Sequence, residues 1–444
     1  MRLVIIAALC AVLFASPAQA QDWNAIQKEA IQILQQYLRI DTSNPPGHTA
    51  KAADFLSGIL KKEGLPVTRY ESKPGLAIIH ARLKGTGAGK PIVLLNHMDV
   101  VPADKSRWKV DPFAGTIVGN EIWGRGAADM KGLGVVQLAA FLALKRLNVA
   151  LARDIIFMAV PDEETGGDLG ALWMIQNHYA ELDPEFVLDE GGFGSRDLFA
   201  DGTLVFGISV VEKQIMRLRI RAEGIAGHGS QPHDQNPNDR LVRALTRLVN
   251  QPLPTADVEV LNIMKQRIGA FAKNKFTNAI QHSTIALTVL KAGVGDPPAP
   301  NVIPSVAEAI IDCRVLPGTT IDQWVAEIQR RLGDPQLKLE VINKPRAPES
   351  ITSPYDTPLF KALEGAIKRQ YADAIVTPMI IPYGTDSNGF RPKGVKSYGF
   401  NPLVLPFSVV SSMHSDEERI PLDGIGSGIR ILFEALKETA GTGR

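Results

Sequence analysis

Four segments of this 444-residue chain carry acids or a histidine in positions from which they could converge on a metal ion. They are Asn96-His97-Met98-Asp99, Gly124-Arg125-Gly126-Ala127-Ala128-Asp129-Met130-Lys131-Gly132, Pro161-Asp162-Glu163-Glu164-Thr165-Gly166-Gly167 and Asp189-Glu190-Gly191-Gly192. The first, third and fourth follow short apolar runs that read as strands, and the second opens a helix. Singly, acids after a strand are commonly helix caps or solvated loops. Gathered on one rim, they repel one another and raise one another's pKa values unless a cation lies between them. A mixed histidine and carboxylate set suits zinc, whereas an all-oxygen set suits magnesium or calcium. Asp99, two residues past His97, can hydrogen-bond the ring nitrogen that does not face a metal.

Such segments meet only at the carboxyl ends of neighbouring parallel strands, where open α/β sheets bind their ligands. Apolar residues at helical spacing mark 23–39 and 50–63, with an Asn44-Pro45-Pro46-Gly47 turn between them. Strands at 75–83, 91–95, 154–160 and 185–188 then alternate with helices at 133–147 and 171–178. This alternation predicts an α/β fold, a mostly parallel sheet flanked by helices. From about 210 the order changes to strand 214–223, helix 239–250, strands 283–291 and 306–315, helix 320–332 and strand 337–342. That β-α-β-β-α-β order is the ferredoxin-like α+β unit, with a helical-looking extra segment at 256–274 within it. After Pro345 the first pattern resumes, with a helix near 357–371, strands near 374–381 and 396–400, and a last helix at 424–439. The expected organisation is a catalytic domain in two parts, 21–209 and 346–444, interrupted by an inserted domain at 210–345.

The charge balance is nearly even, 48 Lys+Arg against 47 Asp+Glu, which argues against nucleic acid as a partner. A hydrophobic content of 45% excludes a disordered chain. Met1-Arg2, the apolar run from Leu3 to Phe14 and the small-residue site Ala18-Gln19-Ala20 form the three parts of a secretory signal peptide. The run falls short of the roughly 20 residues that span a bilayer. Cleavage after Ala20 is therefore expected, giving a periplasmic or secreted protein with no membrane association. It would retain Cys313 alone of the two cysteines, read as a packed strand thiol, and no intrachain disulfide could form.

HMDVVP, GRGAADMKG, PDEETGG and LDEGG, in this order, resemble the M20 family of di-zinc metallopeptidases, the group that includes aminoacylases and glutamate carboxypeptidases. The resemblance extends from Thr42-Ser43-Asn44-Pro45-Pro46-Gly47 to the C-terminal region. It implies two Zn2+ ions per subunit, with Co2+ or Mn2+ as possible substitutes. The implied ligands are His97 and Asp129, with Asp129 bridging both metals. Glu164 would join the bridge on one zinc, Asp189 would pair with His97 on the other, and His414 would complete the set. Asp99 becomes the partner of His97, and Glu163 the general base that activates water for attack on an amide carbon.

Within the inserted domain, Gly227-His228-Gly229-Ser230, Asn301-Val302-Ile303-Pro304 and Asp312-Cys313-Arg314 match family positions. The resemblance implies that His228 reaches the partner subunit's active site and helps bind the oxyanion, which calls for a homodimer through this domain. Asn301 and Arg314 would hold a free substrate carboxylate, a task suited to the bidentate guanidinium fork. Tyr383-Gly384-Thr385-Asp386 resembles a substrate loop with Gly384 as its glycine, and an inserted domain suggests closure over the substrate. His48, His80, His178, His233 and His282 read as structural or surface residues. The implied function is an exported zinc hydrolase, carboxypeptidase-like, that cuts an amide next to a free carboxylate in a small peptide. An N-acyl-amino-acid amidohydrolase fits the same pattern. The rival from another class is a non-catalytic periplasmic metal- or ligand-binding protein, for which an intact Glu163 has no use.

Overall fold

The computed structural model describes residues 22–343 and 345–443. The expected signal peptide, Met1–Ala20, lies outside the described residues. An eight-stranded sheet forms the centre, in the order Val67–Lys73, Leu76–Leu83, Arg153–Val160, Gly89–His97, Phe186–Ser195, Lys396–Val404, Val205–Glu212 and Ile375–Ile381. Its middle is parallel: Gly89–His97 pairs with Arg153–Val160 and Phe186–Ser195, and the last of these with Lys396–Val404. The edge near Val67–Lys73 is antiparallel, so the sheet is mixed rather than uniformly parallel.

Side chains alternate across a strand, and a sheet covered on both faces reads as continuous apolar runs. Ile92 and Leu94 accordingly join one buried cluster, while Val93 and Leu95 join another on the opposite face. Helix Lys131–Arg146 lies between the sheet and helices Trp23–Leu38 and Gly424–Ala440, which explains why it is apolar nearly all round. Helix Ala171–Asn177 and Phe390 cover the other face.

The segment from Gln214 to Val341 builds a second sheet, ordered Thr284–Lys291, Val306–Val315, Gln214–Glu223, Lys338–Val341, all antiparallel. Every second residue of Val306–Val315 is buried. Those residues meet Leu241 and Leu245 of helix Pro237–Val249 and Trp324 and Ile328 of helix Ile321–Leu332, in a core separate from that of the main sheet. The ferredoxin-like pattern is present.

Two details differ from the sequence reading. The extra segment folds as helices Glu259–Ile268 and Lys275–Gln281, and its Val260, Leu261, Met264 and Ile280 pack into the main core, not that of the second sheet. Val205–Glu212, not recognised as a strand, is fully buried in the main sheet. Its apolar run abuts the next strand closely enough that the break at Lys213 was not visible.

Candidate metal centre

Strand ends deliver the first ligand candidates. His97 closes Gly89–His97 and is buried; its Nδ1 lies 2.9 Å from the Asp99 carbonyl oxygen. The Asp99 carboxylate stands farther off, at 3.7 Å, so the backbone oxygen orients the ring. The carboxylate has another task. It accepts the backbone N–H groups of Glu163 (3.3 Å) and Glu164 (3.2 Å) and the Asn44 amide (2.8 Å). Asp99 thereby fixes the turn carrying both glutamates.

Asp129 sits between the two histidines, with Oδ1 at 3.1 Å from His97 Nε2 and Oδ2 at 3.1 Å from His414 Nε2. Glu164 Oε2 lies 3.2 Å from His414 Nε2. The loop carrying Asp129 is shaped by Glu418, a residue the sequence did not single out. Glu418 Oε1 accepts N–H groups from Gly126, Ala128 and Asp129 at 2.9 to 3.1 Å, and Oε2 takes the Arg125 guanidinium at 2.6 Å. Arg125 also donates to the His414 carbonyl oxygen at 3.4 Å, tying the C-terminal histidine to the same loop.

Asp189 is not where the family pattern was read to put it. Its Oδ2 accepts from the Ser387 backbone N–H and hydroxyl, each at 2.9 Å, and its Oδ1 from the Glu190 N–H. The neighbouring Glu190 faces the cluster instead, with Oε1 3.6 Å from His97 Nε2. The reason lies in the strand. Asp189 pairs with Gly399 and Gly192 with Phe400, so Glu190 and Gly191 are extra residues in a bulge, a device that re-aims a side chain. Asp189 shares the strand face of Val187, toward Phe390 and the short helix beginning at Ser387. Gly191 has φ +144°, and a Cβ on Gly399 would stand 2.1 Å from the Glu190 carbonyl oxygen, so both positions require glycine.

Ligand atoms of His97, Asp129 and Glu164 lie within 4.8 Å of one another, as do those of His97, Glu163 and Glu190. The electrostatics show what this concentration of acids demands. Burial pushes the Glu163 and Glu190 carboxyls well above the ordinary range, and neighbouring carboxylates, Glu190 on Glu163 and Asp129 on Glu190, add to it. Burial opposes charge on His97, yet the Asp129 and Glu190 carboxylates outweigh it and hold the ring protonated. Hydrogen bonds from Asp129 and Glu164 raise His414 to about 10. Protons on the imidazoles thus offset the surplus negative charge, and a divalent cation can replace them at the same atoms. Glu164 Oε1 is buried without a hydrogen-bond partner among the described residues, as a ligand oxygen would be. The residues fit a metal site.

A cavity of about 320 Å³ opens on this cluster, lined by Asp129, Glu163, Glu164, Glu190 and His414, and by Gly384 and Tyr383. Gly384 packs so close to Ile215 that a Cβ would stand 2.8 Å from its Cδ1. The inserted-domain candidates do not reach this cavity. His228 is exposed, with Nδ1 2.7 Å from Ser230 Oγ, and Asn301 lies beside it across the Gly227–His228/Val302–Ile303 pairing. Arg314 is held by Asp312 at 2.6 Å.

A model of peptidase family M20/M25/M40 matches residues 93–438. Mouse aminoacylase-1 is 30% identical over 416 residues, spanning 93% of this chain and 95% of that protein. Mouse N-fatty-acyl-amino acid synthase/hydrolase PM20D1 is 28% identical, over 92% of this chain and 87% of that protein. Among solved structures, an M20 family metallo-carboxypeptidase from Sulfolobus solfataricus gives a TM-score of 0.70 at 20% identity, covering 93% of this chain and 99% of that one. A dinuclear metal-binding M20 peptidase from Bacillus subtilis gives 0.61 at 13% identity, covering 94% and 99%. Sharing both the family's sequence pattern over most of its length and its fold, this chain belongs to peptidase family M20/M25/M40 and is a hydrolase of that family.

Proposed function

We propose that the protein is an exported, dinuclear zinc amidohydrolase that cleaves an amide bond next to a free carboxylate. The observation that carries this reading is Glu163, which opens on the same cavity as Asp129, Glu164, Glu190 and His414 and clusters with His97 and Glu190. His97, Asp129 and Glu190 would hold one ion, and Asp129, Glu164 and His414 the other. Bound there, the ions supply Lewis acidity toward the amide carbonyl and lower the pKa of water. Glu163 takes the proton from the attacking water and passes it to the departing amine. Asp99 keeps Glu163 in place through its backbone N–H.

Similarity to aminoacylase-1 and to an N-fatty-acyl-amino acid hydrolase over nearly the whole chain favours N-acyl amino acids over peptides. A carboxypeptidase and human carnosine dipeptidase 1 share the fold at 20% identity or less, and peptides remain the second substrate class. Arg314 and Asn301 stay assigned to the free carboxylate, and His228 to the partner's cavity, in a homodimer whose inserted unit closes over the substrate. Strand Thr284–Lys291 supports that dimer: it is an edge strand, and Leu287, Val289 and Leu290 are exposed along it. Sedimentation showing a monomer at working concentration would remove this assignment. Export rests on the Met1–Ala20 pattern, and N-terminal sequencing of protein from the cell envelope tests it.

The decisive assay is hydrolysis of a panel of N-acyl amino acids and dipeptides, with and without a chelator. Turnover that stops on chelation and returns with zinc supports the reading; no turnover on any member, with zinc bound, contradicts it.

A further inference from the structure

The cavity beside the metal centre has a second wall that the hydrolytic chemistry does not use. Besides the acids it is lined by Met130, Leu133, Phe193, Phe276, Val410 and Met413. Among the described residues, no lysine or arginine lines it. Apart from His414, which stands among the acids, this lining therefore offers an anionic group no cationic side chain. What the cavity offers is apolar surface.

Phe276 has an unusual origin. It is supplied by helix Lys275–Gln281, which leaves the chain of the inserted segment, packs on the main core and returns before strand Thr284–Lys291. The Asn274 side chain caps this helix through the Phe276 and Thr277 N–H groups at 3.0 and 2.9 Å. Asn274 also donates to the Leu198 carbonyl oxygen at 2.8 Å, anchoring the helix start beside the end of strand Phe186–Ser195. The Phe276 ring then packs at 6.0 Å from both Phe193 and Phe199, nearly perpendicular to the latter. It is half-buried, held in position, and lines the cavity.

We propose that Phe276 is a specificity-determining residue, the wall of an apolar pocket that receives a large uncharged group of the substrate amide. This rests on the hydrolase reading and adds the substrate class to it. The group is either a long acyl chain or a bulky amino-acid side chain, since both present the same chemistry. An aromatic wall discriminates by removing apolar surface from water, and one or two methylenes are worth about tenfold or more in kcat/KM.

The test uses the zinc-loaded full-length mature protein and two substrate series. One is N-acyl-alanines from acetyl to dodecanoyl; the other is N-acetyl amino acids from alanine to leucine and phenylalanine, with glutamate and lysine as charged controls. The wild type is expected to favour large apolar members in at least one series by about tenfold over small and charged ones. The series in which the preference appears identifies the source of the group. Phe276→Ala is expected to erase that preference about tenfold, chiefly through KM, and Phe276→Leu to do so partially should the alanine variant not fold. Val410→Phe, which fills the pocket, is expected to cut off the largest members first. A preference unchanged in folded Phe276→Leu and Val410→Phe overturns the assignment, as does a wild-type preference for charged members. Absence of turnover across both series with zinc bound overturns the N-acyl-amino-acid reading and the pocket assignment with it.

Discussion

Arg125 and Glu418 form a fully buried ion pair at 2.6 Å, and the same Glu418 carboxylate collects three backbone N–H groups of the loop that carries Asp129. A carboxylate with four charge-assisted partners is a strong organiser, but its burial makes it intolerant of change. The pair connects segments far apart in sequence, the glycine-rich loop and the stretch around His414. It sets where two metal-ligand candidates stand relative to each other.

Glu418→Gln leaves the Arg125 charge buried without a counter-ion. Breaking one side of a buried pair costs about 3 kcal/mol or more. Urea denaturation should show a loss of that size, with the unfolding slope unchanged. A loss below about 1 kcal/mol would mean the pair behaves as a solvated one.

The bulge at Glu190-Gly191 separates two adjacent acids by role. Glu190→Gln is expected to weaken zinc affinity by about 100-fold or more, since even outer partners of metal ligands cost 10–100-fold. Asp189→Asn, which keeps an oxygen for Ser387, should stay within about tenfold of the wild type. Competition with a chromophoric chelator measures both. The reverse order would restore Asp189 as the ligand.

Cys313 offers a check on the inserted core. Burial pushes its thiol up to about 12, which leaves about one thiolate in ten thousand at pH 8. Iodoacetamide at pH 8 should leave the Cys313 peptide unmodified in native protein and label it fully in denaturant. The sign for stability follows. The unfolded thiol loses its proton near 9 while the folded one keeps it, so the folded state binds more protons and stability falls as pH rises from about 9 to 12. Rapid native labelling would show that the core around Trp324 opens.

Much of the centre was readable because its residues follow strands. His97, Asp129, Glu164 and His414 were all placed from sequence, and the structure brings them together. Asp189 was misplaced because two consecutive acids differ only in which face they occupy, and that depends on a bulge against a strand some two hundred residues away. Glu418 was missed for a related reason. It stands in a run of acids that looks solvated, and only the folded loop at Gly126–Asp129 turns it into a buried acceptor. The second sheet was legible in its strict alternation, whereas the packing of 259–281 onto the main core was not, since periodicity shows that a helix has an apolar face and not what covers it.

In the proposed mechanism Glu163 moves protons for amide hydrolysis and does not hold the metal. The most direct measurement is steady-state turnover of Glu163→Gln on the best substrate of the panel, with metal content determined on the same sample. A loss of about 10³-fold or more in kcat with wild-type metal content is expected. Turnover within about tenfold of wild type at full metal content would contradict it, and would reduce Glu163 to a neutralising charge.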